Sequence, residues 1–388
     1  MTERTHPPDA AVRPRPRLHH IDNLRILLTV LVVLHHVAVT YGNIPVWYYT
    51  EPAQDPTGVL LDLLVITNQA FFMGFFFLIS GYFVPGSHER RGSRAFLRER
   101  LRRLGVPLLL FILLLRPLLT AGHYPQLRAD FAEQGVELPY WLYYLLTWDP
   151  GPLWFVEVLL VLTLGYLLLH RLRGTRAAVP SPRRPPAPGR LPGPLAVAAF
   201  VVGLTLATHG WRVLAPAPYW PFVGLPSPGY LPQYVALFTV GVLAFRHDWF
   251  RRIPRAAGWA GFAVAAAALA VFLTVRPLLG EAAGHPGTWS ALAVAAWENT
   301  FAVGMVLGLL VLFRERFGRQ GRPARFLSDH AFAVYVLHPL VLVGLGHAFS
   351  GWEAPAVAKF AVVAVLAIPL CWLLAALVRT LPYAERVL

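Results

Sequence analysis

His20-Ile21-Asp22-Asn23-Leu24-Arg25-Ile26-Leu27-Leu28-Thr29-Val30-Leu31-Val32-Val33-Leu34-His35-His36-Val37-Ala38-Val39-Thr40-Tyr41 decides how the rest of the chain is read. It begins polar, then runs apolar for close to the length of ~20 residues a helix needs to cross a bilayer. Two adjacent imidazoles interrupt the apolar part. The residues before it are polar and rich in Pro and Arg, and it ends in Tyr41-Gly42-Asn43 without a small-x-small cleavage site. It therefore reads as a retained first membrane helix, not a signal peptide.

The same pattern recurs to the end of the 388 residues. Nine further apolar segments follow, so the predicted spans are 24–41, 58–83, 104–120, 152–170, 195–214, 230–246, 256–279, 289–313, 327–347 and 355–378. Composition agrees: 56% of residues are hydrophobic and 14% charged, where soluble domains carry about 25% charge. Mean hydropathy is +0.53. The fold class expected is an all-α polytopic membrane protein of about ten transmembrane helices. The aromatic stretch from Pro139 to Trp148 is too short to cross alone and is expected at the interface.

Arginine placement orients the spans. With a cytoplasmic N-terminus, the inside segments 1–25, 84–103, 171–194, 246–255, 314–326 and 379–388 hold 29 arginines, and the outside segments hold two, Arg128 and Arg212. That asymmetry is the positive-inside pattern, and it predicts both termini in the cytoplasm. The net charge of +14 is thus a topology signal spread over short loops, and no basic domain for nucleic acid exists. One cysteine, Cys371, permits no intrachain disulfide and no Cys-based metal site. The expected organisation is a basic Pro-rich tail at 1–23, a single transmembrane domain at 24–378 with a flexible linker at 171–194, and a short tail at 379–388. No appended extracytoplasmic domain is expected after the tenth span. Arg116-Pro117-Leu118-Leu119 and Arg276-Pro277-Leu278-Leu279 recur near the outer ends of two helices. Each arginine either snorkels outward beside a helix-ending proline or binds an anionic acceptor.

Ionisable groups inside spans are costly and mark function by default. Arg25 and His36 are eleven residues apart, almost three turns, so they share a helix face with His36 ~16 Å above Arg25. An arginine at the cytoplasmic mouth below an imidazole at mid-depth suits a phosphate-bearing donor whose reactive end meets a base. His35 points about 100° away, as a packed core histidine or a neighbour to the site. Thr67-Asn68-Gln69 lies in the second span, and Ser80-Gly81 near its inner end permits close helix approach. Arg102-Arg103-Leu104-Gly105-Val106-Pro107 enters the third. Glu157, Glu298-Asn299 and His338 complete the polar set. A carboxylate beside His36 would orient it and support its protonated form; Glu298 is the first choice and Glu157 the second. No metal site is expected.

Taken together, these segments resemble the membrane acyltransferase family 3. The likeness rests on Arg25 and His36 after Asp22-Asn23-Leu24, on Phe76-Phe77-Leu78-Ile79-Ser80-Gly81-Tyr82, on Arg102-Arg103-Leu104-Gly105-Val106-Pro107, on Leu153-Trp154-Phe155, and on Ser328 through Tyr335-Val336-Leu337-His338-Pro339. Within the family, the Gly-Pro-Leu-Trp-Phe run looks most like the branch of periplasmic glucan succinyltransferases. The resemblance implies transfer of an acyl group from cytoplasmic acyl-CoA, as acetyl-CoA or succinyl-CoA, to a hydroxyl of an extracytoplasmic glycan. The setting is a bacterial cytoplasmic membrane, with lipids as further partners and no permanently bound cofactor. Arg25, Arg102 and Arg103 would meet the donor phosphates, and neutral His36 would take the hydroxyl proton or carry the acyl group itself. Asn68, Gln69 and Asn299 are oxyanion candidates, and Ser80, Trp154, Tyr335, His338 and His35 complete the expected binding set. Trp47, Tyr48, Tyr49, Tyr140 and Trp141 suit either sugar stacking or an interfacial belt. A proton-coupled transporter using Arg25, His36, Glu298 and His338 is the alternative, although no paired inverted halves are visible.

Overall fold

The computed structural model describes residues 17–44, 46–173, 189–215, 219–220, 225–226 and 228–388. Most of the predicted basic tail and linker lie outside these residues. Among the described residues, ten helical segments are long and apolar enough to cross a membrane: His19–Tyr41, Gly58–Arg91, Ser93–Glu133, Tyr140–Leu172, Pro194–Leu214, Pro228–His247, Arg255–Leu279, Trp289–Arg316, Arg322–Ala348 and Ala356–Arg379. They are called the first to tenth helices below. Tyr219–Trp220 and Leu225–Pro226 form a two-residue antiparallel pair between the fifth and sixth.

The ends differ from the sequence reading in instructive ways. The second helix passes through Pro85 to Arg91, because neighbouring helices in a bundle tolerate an interior proline. The predicted interfacial stretch becomes a short helix, Tyr140–Leu146, which opens the fourth helical segment ahead of Trp154–Leu172. The third helix contains two π-turns, Leu101–Gly105 and Phe111–Leu115. Each is followed closely by a proline, Pro107 or Pro117. Proline supplies no N–H and crowds the carbonyl four residues before it, and the ladder widens there: Val106 N–H reaches Leu101 O and Arg116 N–H reaches Phe111 O. The lipid-side stripe of this helix is Leu109, Leu110, Leu113, Leu114 and Leu118, all exposed in the absence of lipid.

Two glycine contacts bring helices to backbone distance. A Cβ at Gly81 would collide with the Phe238 carbonyl, and one at Gly241 with the Leu78 carbonyl, so the second and sixth helices touch main chain to main chain. The seventh and eighth do the same at Gly261 and Gly304, where a Cβ on either would lie 2.6 Å from the other's carbonyl oxygen. In lipid, where apolar surface gains little from pairing, such small-residue contacts set helix position.

Polar side chains fix the remaining crossings. Asn23 donates to Phe317 O at 2.7 Å and Arg319 O at 2.9 Å, tying the first helix to the turn after the eighth. Asn299 donates to Thr208 Oγ1 at 3.2 Å, and Gln233 donates to Ala70 O at 3.0 Å. The loop after the first helix clamps the tenth: Asp55 Oδ2 accepts from Ala356 N–H at 2.8 Å, Thr57 Oγ1 from Val357 N–H at 3.2 Å, and Glu51 pairs with Lys359. Lys359 is the only lysine in the sequence.

Candidate active site

Two of the cavities lined by the described residues bear on the site. The larger, about 1400 Å³, opens at the end away from the arginine-rich loops and is walled by His35, His36, Trp47, Gln69, Trp154 and Glu298, among others. The smaller, about 410 Å³, lies towards the arginine-rich end and is lined by Arg25, Arg90, Arg91, Arg100, Arg103 and Ser80. Of the residues named for either, only Tyr335 lines both. Its hydroxyl donates to Pro152 O, and Phe155 meets it edge-on at 6.0 Å between ring centres. Tyr335 therefore stands in the partition between the two spaces.

His36 sits on the large-cavity side of that partition. Its Nδ1–H donates to Val32 O at 2.9 Å, a tautomer assigned from this bond. That leaves the Nε2 lone pair as the free end of the ring. Trp47 lies against the ring at 4.0 Å between centres, and His338 at 4.9 Å. His338 is wholly buried, donates from Nδ1 to Tyr335 O at 2.8 Å, and has Nε2 without a partner among the described residues. His35 stacks on Phe72 at 5.0 Å.

The expected carboxylate partner of His36 is engaged elsewhere. Glu298 accepts from Arg212 Nη2 and Tyr230 OH, each at 2.7 Å. Arg212, read from sequence as an outside-loop arginine, belongs to the last turn of the fifth helix and neutralises this buried carboxylate. Glu157 lines neither cavity, and its Oε2 is buried without a partner among the described residues. A backbone carbonyl, not a carboxylate, orients His36.

Other expectations sort by place. Arg25 lies 3.8 Å from Asp22, which also accepts from Arg17 at 2.7 Å; that hydrogen bond holds the Arg17 guanidinium above its ordinary value. Arg103 lies 3.9 Å from Glu99 and lines the small cavity, whereas Arg102 is exposed and lines neither. Arg90 and Arg91 join Arg25 there because the second helix runs on past Pro85 to Arg91, and Arg100 comes from the start of the third. Gln69 lines the large cavity. Asn68 donates to Leu31 O at 3.1 Å, and Asn299 donates to Thr208 on the fifth helix and to Ala295 O one turn back on its own. Arg116 does not snorkel. It is 0% exposed, with Nε 3.2 Å from Asp149 Oδ2. Trp47, Asp149 and Tyr230 belong to the site through tertiary contacts that no local spacing marks. Among the described residues, no cluster of three or more His, Cys, Asp or Glu could hold a metal.

Comparison with known proteins bears on what this arrangement does. Glucans biosynthesis protein C of Salmonella schwarzengrund (strain CVM19633) is 26% identical over 347 residues, covering 85% of this chain and 83% of the relative. The proteins of that name from Salmonella typhi and Salmonella typhimurium (strain LT2) match to the same extent. No solved structure matches. The family described as acyltransferase domain matches residues 18–376, nearly the whole chain and every element of the two cavities, and the chain accordingly belongs to the membrane acyltransferase family 3.

Proposed function

We propose that this membrane acyltransferase takes its acyl group from acyl-CoA at the cytoplasmic face of a bacterial inner membrane. It delivers the group to a hydroxyl of a glucan or related glycan on the other side, with His36 as general base. The observation that carries this reading is the pair of cavities meeting at Tyr335, one walled by arginines and the other holding the free Nε2 edge of His36. Arg25, Arg90, Arg91, Arg100 and Arg103 offer charge-assisted donors to the CoA phosphates. The arginine asymmetry of the loops supports a cytoplasmic position for that cavity. The acyl-pantetheine arm would pass Tyr335 to bring its thioester beside His36.

In the step itself, the acceptor oxygen attacks the thioester carbonyl while His36 Nε2 takes the hydroxyl proton. The new C–O bond forms, the C–S bond breaks, and the departing CoA thiolate recovers the proton from the imidazolium. A positioned base contributes about 10²–10⁴-fold. Trp47 and Tyr48, half-buried in the large-cavity wall, offer aromatic surface for sugar rings, and the name shared by the relatives favours a glucan.

Thiol release by purified protein tests the reading, with acetyl-CoA or succinyl-CoA as donor and periplasmic glucan as acceptor. Acceptor-dependent release should fall by about 10²–10⁴-fold in His36→Ala. Release that the substitution leaves unchanged would remove His36 from the chemistry. Release from neither donor, with no binding of either, would defeat acyl-CoA as the source.

A further inference from the structure

Arg116 carries a donor that the protein does not use. The side chain is 0% exposed, and most of its guanidinium is accounted for. Nε donates to Asp149 Oδ2 at 3.2 Å, Nη2 donates to Thr147 O and to Thr147 Oγ1 at 3.1 Å, and the Tyr144 ring lies 5.0 Å from Cζ. Nη1 is buried and has no acceptor among the described residues. Leaving a buried charged donor unfilled costs more than leaving a neutral one, so a native structure keeps one where something else completes it.

The surroundings point to what completes it. Arg116 belongs to the wall of the cavity that holds His36. Asp149 is held on both oxygens, the second accepting from Gly151 N–H at 2.6 Å. The same bonds lock the guanidinium plane, so its remaining edge is presented in one orientation. Arginine held this way suits the oxygens of a carboxylate. Arg276 lines the same cavity with no carboxylate partner among the described residues. The other carboxylates do not oppose an anion at this depth. Glu298 is neutralised by Arg212, while Asp130 and Glu281 lie in the short outer segments at the rim, Asp130 accepting from Gln126. Arg116 and His36 line the same cavity, from the third and the first helix.

We infer that Arg116 Nη1 seats a carboxylate brought into the large cavity by a substrate. The inference rests on the acyl-transfer reading for the origin of that carboxylate. It is either the distal carboxylate of a dicarboxylic acyl group or an acidic substituent on the glycan acceptor.

The experiment measures kcat/KM for succinyl-CoA and acetyl-CoA, each with a neutral and an acidic glucan fraction, in wild type and Arg116→Lys. Lysine keeps the charge but loses the planar fork. If the acyl group supplies the carboxylate, wild type favours succinyl-CoA and the preference shrinks about tenfold in the variant while acetyl transfer to neutral glucan is retained. If the acceptor supplies it, the preference that shrinks is for the acidic glucan, with either donor. An equal loss on all four substrate pairs, or no change on any, overturns the inference and leaves Arg116 a packing residue. A second measurement needs no turnover. Free succinate should raise the melting temperature of wild type more than acetate does, and the difference should vanish in Arg116→Lys. Should transfer from CoA fail altogether, that shift alone decides: its presence keeps the carboxylate seat while the acyl-CoA reading falls, and its absence removes the seat.

Discussion

His36 is oriented by Val32 O on one ring nitrogen and flanked by Trp47 and His338. This arrangement needs no carboxylate, and two outcomes follow at the residue scale. Glu298→Gln should destabilise the protein by about 3–5 kcal/mol, since it strands the Arg212 charge in a buried position. The residual activity should keep the wild-type pH profile. A lost acid or basic limb in that profile would mean that Glu298 acts through His36 after all. Trp47→Leu should lower kcat/KM by about 2–13-fold, the equivalent of the ~0.5–1.5 kcal/mol an aromatic pair contributes beyond its area. Trp47→Phe should recover most of it. Equal losses in both variants would show that Trp47 acts by something other than its aromatic face.

At the scale of elements, the helices do two things that single residues cannot. The contact of Gly81 and Gly241 sets how closely the second and sixth helices approach, and the obstacle to any side chain is backbone. Gly241→Val should cost at least about 1–3 kcal/mol of overpacking, read as a lower yield of monodisperse protein and earlier thermal unfolding in detergent. Normal yield and melting would show that the sixth helix can slide. The second effect is the partition. Tyr335 separates the cavities while its hydroxyl is fixed to Pro152 O. Tyr335→Ala should therefore raise acyl-CoA hydrolysis without acceptor relative to transfer, measured as thiol release against acylated glucan. An unchanged ratio would place the barrier elsewhere.

Across the whole molecule, the loop joining the first two helices closes the bundle. Asp55, Thr57 and Glu51 hold the start of the tenth helix, about 300 residues away in sequence, and the same loop lays Trp47 on His36. The Thr57 hydroxyl, then the Ala356 N–H and the Thr57 N–H, hold the Asp55 carboxyl below its ordinary value. A carboxyl depressed in the folded state stabilises it at every pH above the unfolded value, ~3.9 for aspartate, and loses that contribution as pH falls through the lower folded value. Thermal unfolding of wild type should accordingly become easier on acidification below ~4. Asp55→Asn should be less stable than wild type at neutral pH, with the gap closing in acid. A gap that stayed constant would exclude Asp55 as the titrating clamp.

The ten spans, their alternation and the Arg25–His36 face were legible because each depends on local periodicity or on charge counted along the chain. The pairings were not. Glu298 looked available to His36 because both sit near mid-depth, but depth along two helices says nothing about their rotation, and Arg212 arrived from a third. Arg116 read equally well as a snorkelling residue, since its spacing from Pro117 is the same whether the helix turns it to lipid or to Asp149. The apolar runs by themselves determined a multi-helix membrane protein with its basic loops on one side, because bilayer crossing and loop charge are properties of segments. Only tertiary packing decided which polar groups neutralise one another and which stay free to react, because that depends on helix rotation and glycine-set approach across hundreds of residues.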